Sequence, residues 1–234
     1  MRLPLEEVSV LSLSLRLSFC RFEPAIWLAH LDLMRTFERA VRRANIPVAY
    51  SSGYNPRPRL SFALPMGVGI ATENDLLDVR LEEKQDVLQA DVSTWINTLN
   101  SKLPRGISVL SGNRIDDAGQ SLMSLVSAAD YRIKADGLEN ALMLLLASDT
   151  QEQIPWLVLK KTKSGLLPIN IRPLILSIEK EDSDQFLLHV KAGSRENLRP
   201  DLFLKFLVKQ AFLDREAALD CTITRTRIWL GDEP

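Results

Sequence analysis

Apolar and polar positions alternate with period two at several places along the chain. Residues 9–19 place valine, leucines and phenylalanine between serines and an arginine, the pattern of a half-buried strand. Pro24 breaks it. Residues 31–44 switch period: Leu33, Phe37, Ala40, Val41 and Ala44 fall at helical spacing, an amphipathic helix ended by Asn45 and Pro47. Residues 59–66 and 75–82 alternate as strands. Residues 91–103 read as a helix with Val92, Trp95, Ile96, Leu99 and Leu103 inward, and a strand follows Gly106. The order β-α-β-β-α-β is the ferredoxin-like split unit.

"DDAGQS" (116–121) is the most linker-like segment, and the same plan then starts again with one extra strand, β-α-β-(β)-β-α-β. "ADYRIKA" predicts a strand, "LENALMLLLAS" a helix and "PWLVLKK" a strand. "IRPLILSIEKE" and "QFLLHVKA" form a hairpin, "PDLFLKFLVKQAF" is a helix with Pro200 at its first turn, and "ALDCTITRTRIWL" is a last strand. No sequence-level repeat supports a duplication; it rests on element order alone. The predicted fold is α+β, two tandem ferredoxin-like (βαββαβ) domains at residues 1–118 and 119–234, with one continuous α+β domain as the alternative.

Composition adds little to this picture. The 234 residues are 46% hydrophobic and 25% charged, ordinary for a globular protein, and no apolar run is long enough for a bilayer. Glu6, Glu7 and the lack of a small-residue cleavage site do not fit a signal peptide. Cys20 and Cys221 are too few and too far apart for a disulfide framework, so reduced thiols in a cytoplasmic protein are expected. The net charge of −1 argues against bulk attraction to nucleic acid. Its distribution changes that view. Residues 1–59 hold nine arginines against five acids, and residues 71–91 hold seven acids against two bases.

The arginines concentrate on one helix and the loop after it. Arg35, Arg39 and Arg42 are spaced i, i+4, i+7, within about 60° of one another and opposite Leu33, Phe37 and Val41. Arg43 borders this stripe. Glu38 can pair with Arg42, which leaves Arg35 and Arg39 with no obvious acidic neighbour. In the loop, Asn55 and Arg57 precede prolines and are biased to extended backbone, so Asn55, Arg57 and Arg59 point broadly alike. Tyr50 and Tyr54 offer flat faces for a base. Together these residues fit a phosphate backbone. A charged helix face is as a rule merely a solvated one, and His30 is more often a hydrogen-bonding residue than a catalyst. A second basic set includes Lys160, Lys161, Lys163, Arg172, Arg195 and Arg199. No nucleotide-binding glycine loop, zincin helix or nucleophile elbow is present, and two histidines with two cysteines give no metal-ligand spacing.

The stretch "LAHLDLMRTFERAVRRANIPVAYSSGYNPRPRLSFALPMGVGI" (28–70), with "INIRPLI" (169–175) and "NLRPDL" (197–202), resembles the bacterial radical-SAM-linked proteins, a family of unknown function. Ala29 departs from the small hydroxyl residue expected before His-Leu-Asp. The resemblance implies a radical SAM enzyme as partner, in trans or fused. The cluster cysteines and S-adenosylmethionine would belong to that partner, and no cofactor to this chain. The fold plan, with a histidine at the start of the first helix, also looks like the CRISPR-repeat endoribonucleases, at fold level only.

Three readings follow. The first is a non-catalytic RNA-binding accessory module, with Arg35, Arg39, Arg42, Asn55, Arg57, Arg59, Arg172 and Arg199 on phosphates and Tyr54 stacking. The second is a protein-interaction domain that docks on the radical SAM enzyme without RNA. The third is a metal-independent endoribonuclease with His30 as general acid or base.

Overall fold

The computed structural model describes residues 13–231 apart from 66, 83, 85, 86, 88, 117–119, 149–153, 163 and 164. Of the strand expected at 9–19 the described residues hold 13–19; residues 1–12, Lys163 and 117–119 of the linker-like segment lie outside them. In β1 (Leu13–Arg21) the alternation sends Leu15, Leu17 and Phe19 fully inward. Helix α1 (His30–Arg43) lays Leu33, Phe37, Ala40 and Val41 over that face. Phe19, Phe37 and Phe62 meet edge to face with centroids 5.0–5.9 Å apart, a geometry their ring quadrupoles favour.

Strands β2 (Leu60–Phe62), β3 (Ile70–Arg80) and β4 (Ile107–Asp116), with helix α2 (Val92–Asn100), complete the first half. Asp91 caps α2, accepting from the Ser93 and Thr94 backbone N–H groups at 3.0 and 3.3 Å. These bonds, with those from the Ser93 and Thr94 hydroxyls, lower the Asp91 pKa to about 2. The second half contains α3 (Leu122–Leu125), β5 (Val126–Lys134), α4 (Leu138–Ser148), β6 (Leu157–Thr162) and β7 (Gly165–Asn170). It continues with β8 (Ile175–Asp182), β9 (Gln185–Lys191), α5 (Pro200–Lys209), α6 (Arg215–Leu219) and β10 (Thr222–Leu230).

One large mixed sheet runs through both halves in the order β4-β1-β3-β10-β5-β9-β8. Its pairings are antiparallel except β3–β10, which is parallel through Ile70–Thr72 and Ile223–Arg225. Strand β3 is long enough to hold two neighbours on one edge: β10 along its start and β2 along Leu77–Val79. Two hydrophobic cores lie on either side of this seam, and Ala63 and Leu64 from the first half pack into the second.

The sequence expectation places "PWLVLKK" among the sheet strands. In the structure that segment is β6, which pairs with β7 as a separate two-stranded hairpin, and β8 and β9 carry the sheet instead. Neither β7 nor α6 is expected from the sequence. Pro168 hides the first, since proline is rare inside a strand and is tolerated here on a two-stranded ribbon. The second is a short helix set by its Asp214 cap.

Two glycines separate strain from collision. Gly193 has φ +127°, and a Cβ there would lie 2.3 Å from the Val126 carbonyl oxygen. Gly137 has φ +76° with nothing within 4 Å of such a Cβ. Gly193→Ala is expected to lower unfolding free energy by at least about 2 kcal/mol, and Gly137→Ala by about 1 kcal/mol. Urea denaturation of both variants measures the difference.

Candidate functional site

Helix α1 opens at His30 with Ala29 at its N-cap, so no side chain satisfies the first turn. Arg35, Arg39, Arg42 and Arg43 are all exposed on the outer face. Arg35 is not without an acidic neighbour: Nη1 lies 3.3 Å from Asp32 Oδ1 one turn back. Arg39 donates to Thr36 Oγ1 at 3.3 Å. Arg39 and Arg43 then line a cavity of about 480 Å³ with Lys102 and Arg105 from the turn after α2. Among the described residues, four cations and no carboxylate line it. Arg42 lies outside that lining.

The loop after α1 forms a tongue. Its stem is held by Ser51 N to Arg57 O (2.9 Å), Arg59 N to Ala49 O (2.9 Å) and Ala49 N to Arg80 O (2.8 Å), which tie it to the end of β3. Tyr54 at the tip is 100% exposed, and Asn55 beside it is exposed too. Arg57 and Arg59 do not join the α1 arginines. They line a different cavity of about 640 Å³, with Arg80, Ser51, Ser61 and Ser121. The acid there, Asp78, is held by Arg16 through two 2.8 Å hydrogen bonds.

The remaining predicted residues lie apart from both cavities. Arg172 sits over the Trp156 ring, 5.5 Å from its centroid, and donates to the Ile154 carbonyl. Arg199 is bidentate to Asp201 at 2.8 and 2.9 Å, and Lys205 donates to the same carboxylate. Both cysteines are free and half-buried. His30 faces Phe62 edge to face at 5.5 Å, and its Nδ1 is buried without a hydrogen-bond partner among the described residues.

His30 adjoins a buried charge cluster at the seam that sequence reasoning missed. Arg225 on β10 donates from Nε and Nη2 to Asp75 on β3, at 2.8 and 2.6 Å. Arg21, at the end of β1, donates to the carbonyls of Leu28 (3.1 Å), Gly67 (2.7 Å) and Ile70. All three are 2% exposed or less. Burial works against the charge on Arg225, but Asp75 and Tyr131 outweigh it and raise the pKa. Burial lowers that of Arg21 to about 10, with Asp75 opposing and Arg225 adding to the fall.

The His30 pKa is lowered by burial first, then by Arg225 and Arg21, against Asp75. A depressed folded value means the unfolded chain binds the proton more readily. The contribution to stability is therefore full above the unfolded value of 6.5 and is lost as pH falls through the folded value. Unfolding measured at about pH 7.5 and about pH 5.5 should show a larger acid loss in the wild type than in His30→Gln.

A cleft of about 620 Å³ opens over this cluster, lined from the first half by Trp27, Leu64 and Gly67–Ile70 and from the second by Tyr131, Asn197, Arg199 and Arg225. Leu64, Pro65 and Gly67–Gly69 thus face Asn197 and Arg199–Asp201 across the seam. These features define a mixed α/β protein with cationic cavities on its first half and a buried ion cluster at the junction. The chain belongs to the bacterial family described as "Uncharacterized protein conserved in bacteria (DUF2344)", which matches residues 14–200. No curated protein matches it. Among solved structures it is similar to a chain of "Crystal Structure of a Cbf5-Nop10-Gar1 Complex", at 7% identity and a TM-score of 0.38. That likeness covers 92% of this chain and 50% of the other, so this chain spans half the length of the one it matches. No helix among the described residues is long and apolar enough to cross a membrane.

Proposed function

We propose that the chain is a non-catalytic, RNA-binding accessory module that holds an RNA by its phosphate backbone and presents it to a radical SAM enzyme in the cytoplasm. The observation that carries the RNA reading is the cavity of Arg39, Arg43, Lys102 and Arg105, whose lining holds no carboxylate among the described residues. Four guanidinium and ammonium groups converging without a counter-charge suit a polyanion. Arg57 and Arg59, with Arg80, line a second cavity for the same backbone. Tyr54 at the exposed tongue tip is free to stack on a base. The acids that cancel this charge in the total are in part engaged elsewhere: Asp75 with Arg225, Asp78 with Arg16, and Glu73 with Arg132. The radical SAM partner rests on the sequence resemblance. We read the two halves as ferredoxin-like units, because each runs its strands in the order fourth-first-third-second: β4-β1-β3-β2 and β10-β5-β9-β8.

A second reading, docking on a partner protein without RNA, is favoured by the β6–β7 hairpin, where Leu157, Leu159 and Leu166 are all exposed. Titration of the purified chain with bulk cellular RNA at two salt concentrations separates the two. Salt-sensitive binding that is lost in Arg39→Glu/Arg43→Glu supports the RNA module. Absence of binding at low salt removes it and leaves the docking reading.

A further inference from the structure

Four strands of the second half set one polar row across the sheet. Arg227 on β10 lies opposite Asp130 on β5, Asp130 opposite His189 on β9, and His189 opposite Ser177 on β8. Directly opposed residues share a face. The neighbouring Ala129, Tyr131, Leu188, Val190 and Ile228 belong to the second core, so the row faces away from it. Arg225 and Arg227 would share a face in a regular strand. The register shift between them, a bulge at Thr226, turns Arg225 inward to Asp75 and leaves Arg227 exposed on the other side.

Asp130 is buried, yet it does not hold Arg227. Its carboxylate accepts from His189 Nδ1 on one oxygen and from Trp229 Nε1, at 2.9 Å, on the other. His189 also meets the Trp229 ring edge to face at 5.7 Å. The ring is thus fixed from two sides, and the Arg227 guanidinium lies over it, 3.5 Å from its centroid. Arg227 makes no hydrogen bond or ion pair among the described residues. Two acids of β8 are engaged elsewhere, Glu179 with Ser177 and Glu181 with Arg132.

A guanidinium held flat on an aromatic ring keeps its fork of N–H donors free at its edges and oriented in advance. Such a fork matches two acceptors side by side. Guanine offers that pair, O6 and N7, on one edge. Adenine puts an amino donor beside N7, and uracil shows O4 alone. We infer that the Arg227–Trp229 platform is a guanine-reading site for a single-stranded RNA, with Arg227 donating to O6 and N7 of one base. The inference rests on the RNA reading above. It adds a sequence preference, which contacts to phosphate in the first half do not supply.

The test uses the full chain and four labelled RNAs of one length: oligouridine, and the same strand with a single guanosine, adenosine or 7-deazaguanosine at its centre. The last of these lacks the N7 acceptor. Fluorescence anisotropy at one low salt concentration reads affinity. The guanosine strand should bind at least about fivefold more tightly than the oligouridine and adenosine strands, the advantage of one bidentate base contact. The 7-deazaguanosine strand should lose most of that advantage. Arg227→Lys keeps the charge at an exposed position and removes the fork, so it should erase the preference while binding oligouridine nearly as well. Arg39→Glu/Arg43→Glu should weaken all four RNAs and leave the preference in place. Equal affinity for the four RNAs, or a guanosine preference that survives 7-deaza substitution or Arg227→Lys, overturns the guanine site and leaves the RNA module standing. Absence of binding to all four removes both.

Discussion

Asp75→Ala is expected to cost more stability than any other single substitution at the seam. Both carboxylate oxygens receive Arg225, and the same charge also acts on Arg21. Removing one partner of a buried pair leaves the other charged and desolvated, at about 3–5 kcal/mol. Here two guanidiniums lose their carboxylate together. That loss is a large share of the roughly 5–15 kcal/mol by which domains of this kind are stable. The damage comes from the abandoned charge, so removing the charge as well should recover part of it. Asp75→Leu/Arg225→Met should be more stable than Asp75→Ala, since replacing a whole buried pair by apolar residues is often neutral or better. Urea unfolding of the three proteins at one pH gives the comparison. A loss below about 1 kcal/mol in Asp75→Ala, or a double variant weaker than the single, would mean the pair is not the electrostatic keystone of the seam.

That seam was partly legible in the sequence. The strand alternation over 75–82 gives Asp75 the same parity as Leu77 and Val79, and all three are buried. Arg21 likewise shares parity with Leu15, Leu17 and Phe19. A charged residue on the apolar side of a strand needs a buried partner, and that signal was available. Counting Asp75 within an acidic run concealed it. The partner was not legible. Asp75 and Arg225 are 150 residues apart, and parallel pairing of β3 with β10 leaves no local mark on either strand.

Helix α1 was read almost to the residue, because Leu33, Phe37 and Val41 repeat at 3.6 and the arginines fill the other face. The helix over 138–148 was read to its ends. The tongue shows where such reading stops. Proline bias gave Asn55, Arg57 and Arg59 an extended backbone. The direction of the tongue is set by hydrogen bonds to Arg80, and these carry Arg57 and Arg59 to a cavity apart from Arg39 and Arg43. Lys102 and Arg105 were missed for the same reason, since only packing brings the turn after α2 beside α1.

The separation of the two cavities makes RNA binding testable in more detail than a single loss. Each phosphate neutralised on a single strand contributes about 0.7 to the slope of log affinity against log salt. Arg39→Glu/Arg43→Glu should flatten that slope by about 1.4 and weaken binding at low salt by about a hundredfold, with the deficit shrinking as salt rises. Arg57→Glu/Arg59→Glu should produce a second, similar decrement. The two pairs line different cavities and share no lining residue, so the free-energy losses should add when all four are reversed. Arg35→Glu should do less than either pair. Its guanidinium already lies 3.3 Å from Asp32, so little uncompensated charge is removed. Filter binding of a labelled RNA at four salt concentrations measures all of these slopes. Additive flattening means one RNA tracks across both cavities. A slope that changes for only one pair confines the RNA to that cavity and frees the other for a different anion. A wild-type slope near zero would mean that any binding is not made through phosphates, and the arginines of α1 would then be a solvated face.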